Sequence, residues 1–168
     1  VEEYTAKLMR EHERIVFNGN GYSEEWPVEA EKRGLPNCKS IVDAIPALVD
    51  DTTVEMYEKF NVLSKAELEA REDILFEQYA GVRNIEALTM IEMANKMIIP
   101  AAVKYTKKLA DTVIAVKEAG ADASVQADML SEVSGKLAEM KTAVKALEEV
   151  TAKAADAECI KCKAEEYK

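Results

Sequence analysis

Beyond Ser64 the apolar residues of this chain fall at helical intervals almost to its end. Ile99, Ala102, Thr106, Leu109, Val113 and Val116 step by 3, 4, 3, 4 and 3. Leu130, Val133, Leu137, Met140, Val144 and Leu147 repeat that rhythm. Two apolar positions in seven make the seam of a coiled-coil contact. The link between the two runs, Ala121-Asp122-Ala123-Ser124, is too short for anything but a reversal. Residues 100–119 and 124–143 are therefore predicted to form an antiparallel helical hairpin, the second helix continuing to about residue 155. Upstream, Leu68, Ile74, Leu75, Val82, Ile85, Leu88, Ile91 and Ile98 carry mostly helical spacing back to Ser64-Lys65-Ala66-Glu67. That tetrapeptide is a capping box, in which serine and the glutamate three residues on satisfy each other's free N–H groups. Pro100 should kink the run without ending it, so 64–119 reads as one very long helix or two nearly collinear ones, closed by Gly120. Met90, Met93 and Met97 step by 3 and 4 and are predicted to pack in the core, in preference to forming a soft binding stripe.

The N-terminal third has a different rhythm. Residues 2–16 are predicted as a helix, with Tyr4, Leu8, Met9 and Ile15 as loosely spaced apolar positions. Asn18-Gly19-Asn20-Gly21 ends it, because two Asn-Gly steps tolerate positive φ. Ser23 should open a second helix with Glu24 and Glu25 in its first turn, stopped by Gly34 and Pro36. A third is expected from Ser40, distorted at Pro46, and a fourth from Asp51 or Thr52.

Composition supports an all-α fold: a long antiparallel helical hairpin or bundle, with several short helices in the first third. Aromatics are 6%, and the 168 residues hold only 6 Gly and 4 Pro. The expected organisation is a single helical domain, 1–168, with turn-linked short helices over 1–63 and long helices over 64–168. Val1 falls inside a helical pattern and the last residues are still amphipathic, so the chain is expected to be an excerpt, truncated at both ends. The net charge of −10 repels phosphate backbones and anionic lipid, which disfavours nucleic acid and membrane as partners. No apolar stretch approaches the roughly 18 residues of a membrane helix. Three cysteines, an odd number, fit a reducing cytoplasm best.

No residue qualifies as catalytic, cofactor-binding or metal-binding. Cys159-Ile160-Lys161-Cys162 is a C-x-x-C which, with Cys38 and the sole histidine His12, would complete a Cys₃His zinc set. A single C-x-x-C in a helical stretch, without a strand before it, reads instead as incidental cysteines. The glycine-rich turn lacks a phosphate-binding signature, so aiming the next helix is its preferred role over anion binding. Glu11 and Glu13 flank His12 in sequence and point elsewhere on a helix.

Phe17-Asn18-Gly19-Asn20-Gly21-Tyr22-Ser23-Glu24-Glu25-Trp26 resembles a stretch of type III glutamine synthetases. So does Asn84-Ile85-Glu86-Ala87-Leu88-Thr89-Met90 followed by Ile98, Ile99 and Pro100, with Glu31-Lys32-Arg33-Gly34-Leu35 at a fitting distance between them. The resemblance runs from about residue 10 to 120 and weakens over 121–155. It implies the C-terminal helical extension of a cytoplasmic ligase that joins glutamate and ammonia using ATP and magnesium. The parent's ligand-gripping motifs would lie in a catalytic domain N-terminal to this region. The excerpt itself is then expected to be inactive, to need no cofactor, and to act in structure, assembly or regulation. Its implied partners are that catalytic domain and, in the parent, further copies in a homo-oligomer. Asn18, Tyr22 and Trp26 are the candidate contacts to the catalytic domain. The competing readings are a free-standing helical interaction module and a small metal or redox protein built on Cys159 and Cys162.

Overall fold

The structure, a computed structural model, describes residues 1–168 and is all-α, without a strand. It divides into two compact units, Val1–Ala44 and Ile45–Lys168.

In the first unit α1 (Glu2–Glu11) is followed by a 3₁₀ turn, Glu13–Ile15, so the predicted helix 2–16 breaks at His12. No residue of α1 is buried. The second helix, α2 (Glu25–Lys32), starts one residue later than a Ser23 cap would place it. Ser23 does not cap it: Glu24 occupies the cap position without a side-chain bond, and Ser23 lies in the preceding turn, its hydroxyl donating to the Asn20 carbonyl at 2.8 Å. The end is as expected. Gly34 has φ +68, its N–H donates to the Glu31 carbonyl, and the Leu35 N–H donates to the Ala30 carbonyl. Those two bonds are a Schellman motif, which needs a residue that tolerates the left-handed region. The third predicted helix is short: α3 (Ile41–Ala44) gives way to a 3₁₀ turn, Ile45–Leu48, around Pro46, which has no N–H to continue an α-helical ladder.

The second unit holds α4 (Asp51–Lys59), α5 (Lys65–Met93), α6 (Ile99–Glu118), α7 (Ser124–Asp156) and α8 (Ile160–Glu166). Asp50 caps α4 by accepting the Thr52 N–H, and Asn61 at φ +51 closes it with the same Schellman bonds that Gly34 makes. The capping box at Ser64 and Glu67 is present in both directions. Hydrogen bonds from the Ser64 backbone and hydroxyl hold the Glu67 carboxyl below its ordinary range. Gly120, at φ +77, ends α6 in a Schellman motif.

α5 and α6 are one continuous helix, joined by a π-helical segment, Ala94–Ile98. Pro100 cannot donate to the Lys96 carbonyl and its ring crowds that oxygen. Widening the ladder by one residue just upstream lets the helix run on. The widened turn is tied to α7. Asn95 donates from Nδ2 to Glu148 Oε1 at 3.0 Å and accepts from Lys141 Nζ at 3.1 Å.

The α6–α7 hairpin forms along the predicted seam, with Leu109, Val113 and Val144 buried. Ala102, Thr106, Val116, Leu130, Val133, Leu137, Met140 and Leu147 are half-buried. For Leu137 this sets the size of a cavity effect. Truncating a fully buried leucine costs about 2–5 kcal/mol. A half-buried one already touches water, so Leu137→Ala should fall near or below the low end, about 1–2 kcal/mol by chemical denaturation. A loss below about half a kcal/mol would remove Leu137 from the seam.

The inward face of α5 is not the predicted one. Leu68 is buried and Leu75 and Ile91 are half-buried, but Ile74, Val82, Ile85, Leu88 and Ile98 are exposed. Phe76, Ala80 and Ala87 are buried instead, and Ala94 continues their line. Alanines seven apart let a neighbouring helix approach closely along one stripe, which larger side chains would hold away. The three methionines, Met90, Met93 and Met97, are likewise exposed and not core.

Candidate interaction surfaces

Within Val1–Ala44 the loop before α2 is built around Phe17. Its ring stacks on Trp26 with centroids 4.5 Å apart. A Cβ on Gly19 would come within 2.5 Å of that ring, so glycine is what lets the chain turn over it. Arg33 closes the far side. Its guanidinium lies 5.9 Å from the Trp26 ring and donates to the Val16 carbonyl at 2.7 Å and to Glu29 at 2.7 Å. That last bond lowers the Glu29 carboxyl's pKa. Trp26 is thus half-buried by its own unit, while Asn18 is exposed and Tyr22 is fully exposed, at 100%. Tyr22 precedes the helix and Trp26 lies in its first turn, so the two do not share one helical face. The glycine-rich loop wraps an aromatic ring, and Glu24 and Glu25 stand at the start of the helix it feeds. Acidic groups there oppose an anion.

Within Ile45–Lys168 the long helix carries an uncovered apolar face. Ile74, Gly81, Ile85 and Leu88 step by 7, 4 and 3, which places them on one side, away from Phe76, Ala80 and Ala87. Ile85 is 66% and Leu88 52% exposed. Their charged neighbours are already paired, Arg83 with Glu86 at 2.6 Å and Lys96 with Glu92 at 2.7 Å. A shallow groove of about 300 Å³ also runs between α6 and α7, lined by Ala102, Tyr105, Met129, Val133, Leu137 and Met140.

α8 lies in the angle between α5 and α7. Ala164 is completely buried there. The Tyr167 hydroxyl donates to Asn84 Oδ1 at 2.9 Å, the Tyr79 hydroxyl donates to the Tyr167 carbonyl at 3.4 Å, and Lys153 pairs with Glu166 at 2.7 Å. Burial pushes the Tyr167 phenol above its ordinary pKa. Cys159 and Cys162 are joined in a disulfide, whereas Cys38 is unbridged and exposed. The cysteines of the C-x-x-C are therefore bonded to each other, and their sulfurs are not free to ligate zinc.

No three His, Cys, Asp or Glu side chains converge as metal ligands. The glycine turn presents a ring where a phosphate cradle would need open backbone N–H groups. The residues present do not fit the ATP and magnesium that the resemblance implies for the parent. No helix is long and apolar enough to cross a membrane.

The chain is all-α, with large apolar side chains exposed on its helices. Residues 1–117 match the family described as glutamine synthetase C-terminal domain, and the chain belongs to that family. It is 35% identical over 156 residues to a glutamine synthetase of Butyrivibrio fibrisolvens, covering 92% of this chain and 22% of that protein. It is 36% identical over 103 residues to the type-3 glutamine synthetase of Dictyostelium discoideum, covering 61% of this chain and 14% of that one. A glutamine synthetase of Bacteroides fragilis is 27% identical over 176 residues, with 99% and 24% covered. The chain thus spans less than a quarter of the length of these relatives. Both blocks that carried the resemblance, Phe17–Trp26 and Asn84–Pro100, lie inside the family match, which stops one residue short of the end of α6.

Proposed function

We propose that this chain is the C-terminal helical part of a type III glutamine synthetase subunit and serves assembly, not chemistry. The parent would be a cytoplasmic, homo-oligomeric ligase that joins glutamate and ammonia using ATP and magnesium, its reacting groups supplied by a catalytic domain elsewhere in the polypeptide. The observation that carries this reading is the apolar surface left uncovered: Ile74, Ile85 and Leu88 on the long helix and, in the other unit, Tyr22. Large apolar side chains exposed along one helix face fit a contact with another protein surface. Membership in the glutamine synthetase C-terminal domain family supports the rest of the same enzyme as the partner.

Asn18, Tyr22 and Trp26 remain the proposed contacts to the catalytic domain, and the geometry singles out Tyr22 as the cleanest probe. Trp26 is held by Phe17 and Arg33, so removing it disturbs its own unit, whereas the Tyr22 ring is free of such packing. Tyr22→Ala should change the stability of the 168-residue chain by no more than about half a kcal/mol. In the full-length enzyme it should reduce assembled oligomer or glutamine synthesis severalfold at equal concentration. Unchanged assembly and activity in the full-length variant would show that the tyrosine contacts nothing.

A further inference from the structure

We propose that Cys159 and Cys162 are a reversible thiol–disulfide exchange site that takes a dithiol as its reductant and sets how firmly α8 is docked. Both cysteines are exposed, so a reacting thiol reaches them without unfolding the chain. They are bridged across three residues with Cα atoms 5.1 Å apart. The bridge is built into the helix start, since Cys159 Sγ accepts the Cys162 N–H at 3.0 Å and caps α8. The pair lies outside the family match, so its role is argued from this chain's own geometry.

α8 is the element such a bridge would control. It has seven residues, and isolated helices that short do not hold in water. Its order depends on docking through Ala164, the Tyr167–Asn84 bond and the Lys153–Glu166 pair. The bridge fixes its first turn and places Lys161 over the Phe76 ring at 5.9 Å. Beneath it lie Phe76, Ala80 and Ala154, all buried. Opening the bridge frees the first turn, and α8 is then held from its C-terminal end alone. The chain-entropy treatment of a four-residue loop puts the resulting shift toward the undocked helix at about twentyfold.

The chemistry balances with a dithiol. One of its thiolates attacks an exposed sulfur, the S–S bond breaks, and a mixed disulfide forms while the other cysteine leaves as a thiolate and takes up a proton. The second thiol of the reductant then attacks the mixed disulfide. The protein leaves with two thiols and the reductant with an internal disulfide, so two electrons and two protons have passed to the protein. A disulfide donor reverses each step.

The test uses the 168-residue chain equilibrated in mixtures of reduced and oxidised dithiothreitol. Alkylation followed by mass measurement should find one reactive thiol, Cys38, at the oxidised end and three at the reduced end. Hydrogen exchange of the 160–166 amides should be about twentyfold faster in the reduced chain, with the α6–α7 hairpin unchanged. A Cys159→Ser, Cys162→Ser double variant should exchange like the reduced chain and ignore the dithiol. Three reactive thiols at every mixture would overturn the proposal, and so would equal exchange in both states. Loss of hairpin protection together with α8 would also overturn it, by showing a staple of the whole unit instead of a local site. None of these readouts depends on the role in assembly, so the two proposals fail separately.

Discussion

Phe76→Ala should destabilise the 168-residue chain by about 3–5 kcal/mol, the range for removing a fully buried aromatic ring. The ring is 1% exposed and is among the largest side chains completely enclosed in the structure. It sits on the inward face of α5, where the neighbouring core positions, Ala80 and Ala87, are too small to move into the space it would leave. It also lies under Lys161 at the start of α8, so the loss reaches beyond the ring's own contacts. Domains of this size are stable by only about 5–15 kcal/mol in total, which makes the change a large fraction of the whole. Urea denaturation is the measurement. Phe76→Leu, which keeps most of the volume, should recover a good part of the loss. A cost below about 1 kcal/mol for Phe76→Ala would mean that α8 does not close over this ring.

The elements whose signals are local were readable in the sequence. Ser64 and Glu67 form the capping box they spell, Gly34 and Gly120 end the helices they follow, and the 3-4 rhythm of 99–116 and 130–147 is the observed seam. Each of these depends on residues within one or two turns of each other. The inward face of α5 depends on what packs against it, and that was not readable. Leu68 and Phe76 point inward together with Ala80 and Ala87, while Ile74, Val82, Ile85 and Leu88 point outward, so ranking positions by hydrophobicity does not separate the two sides. The same error put Met90, Met93 and Met97 in the core. Ser23 misled for another reason, since its N–H and hydroxyl both donate to the Asn20 carbonyl and hold it in the preceding turn, and the helix begins at Glu25. For Cys159 and Cys162, spacing alone could not separate a bridge from incidental thiols, because the deciding quantity is the extended backbone at Cys159 that turns the two sulfurs toward each other. The charged residues were readable as solvated helix faces, where exposed pairs such as Lys107–Asp111 and Lys136–Glu139 contribute little to stability.

The reversed face of α5 gives the second large effect, expected in the full-length enzyme. Ile85→Glu with Leu88→Glu should leave the 168-residue chain as stable as before, within about half a kcal/mol, because both side chains already face water there. On the proposed reading they are covered in the complete enzyme, and two carboxylates would then be trapped in an apolar contact. Burying even one unpaired charge costs several kcal/mol, so assembly should weaken by at least about a hundredfold. Local cations offer no rescue, since Arg83 and Lys96 are engaged with Glu86 and Glu92. The measurements are denaturation of the chain and sedimentation of the full-length enzyme at matched concentrations. Two results would count against the reading, and they mean different things. If the chain itself unfolds, the face is core and the helix is turned about its axis. If both the chain and the assembled enzyme are unaffected, the face is ordinary solvent-facing surface, and the enzyme's contacts with this domain lie elsewhere.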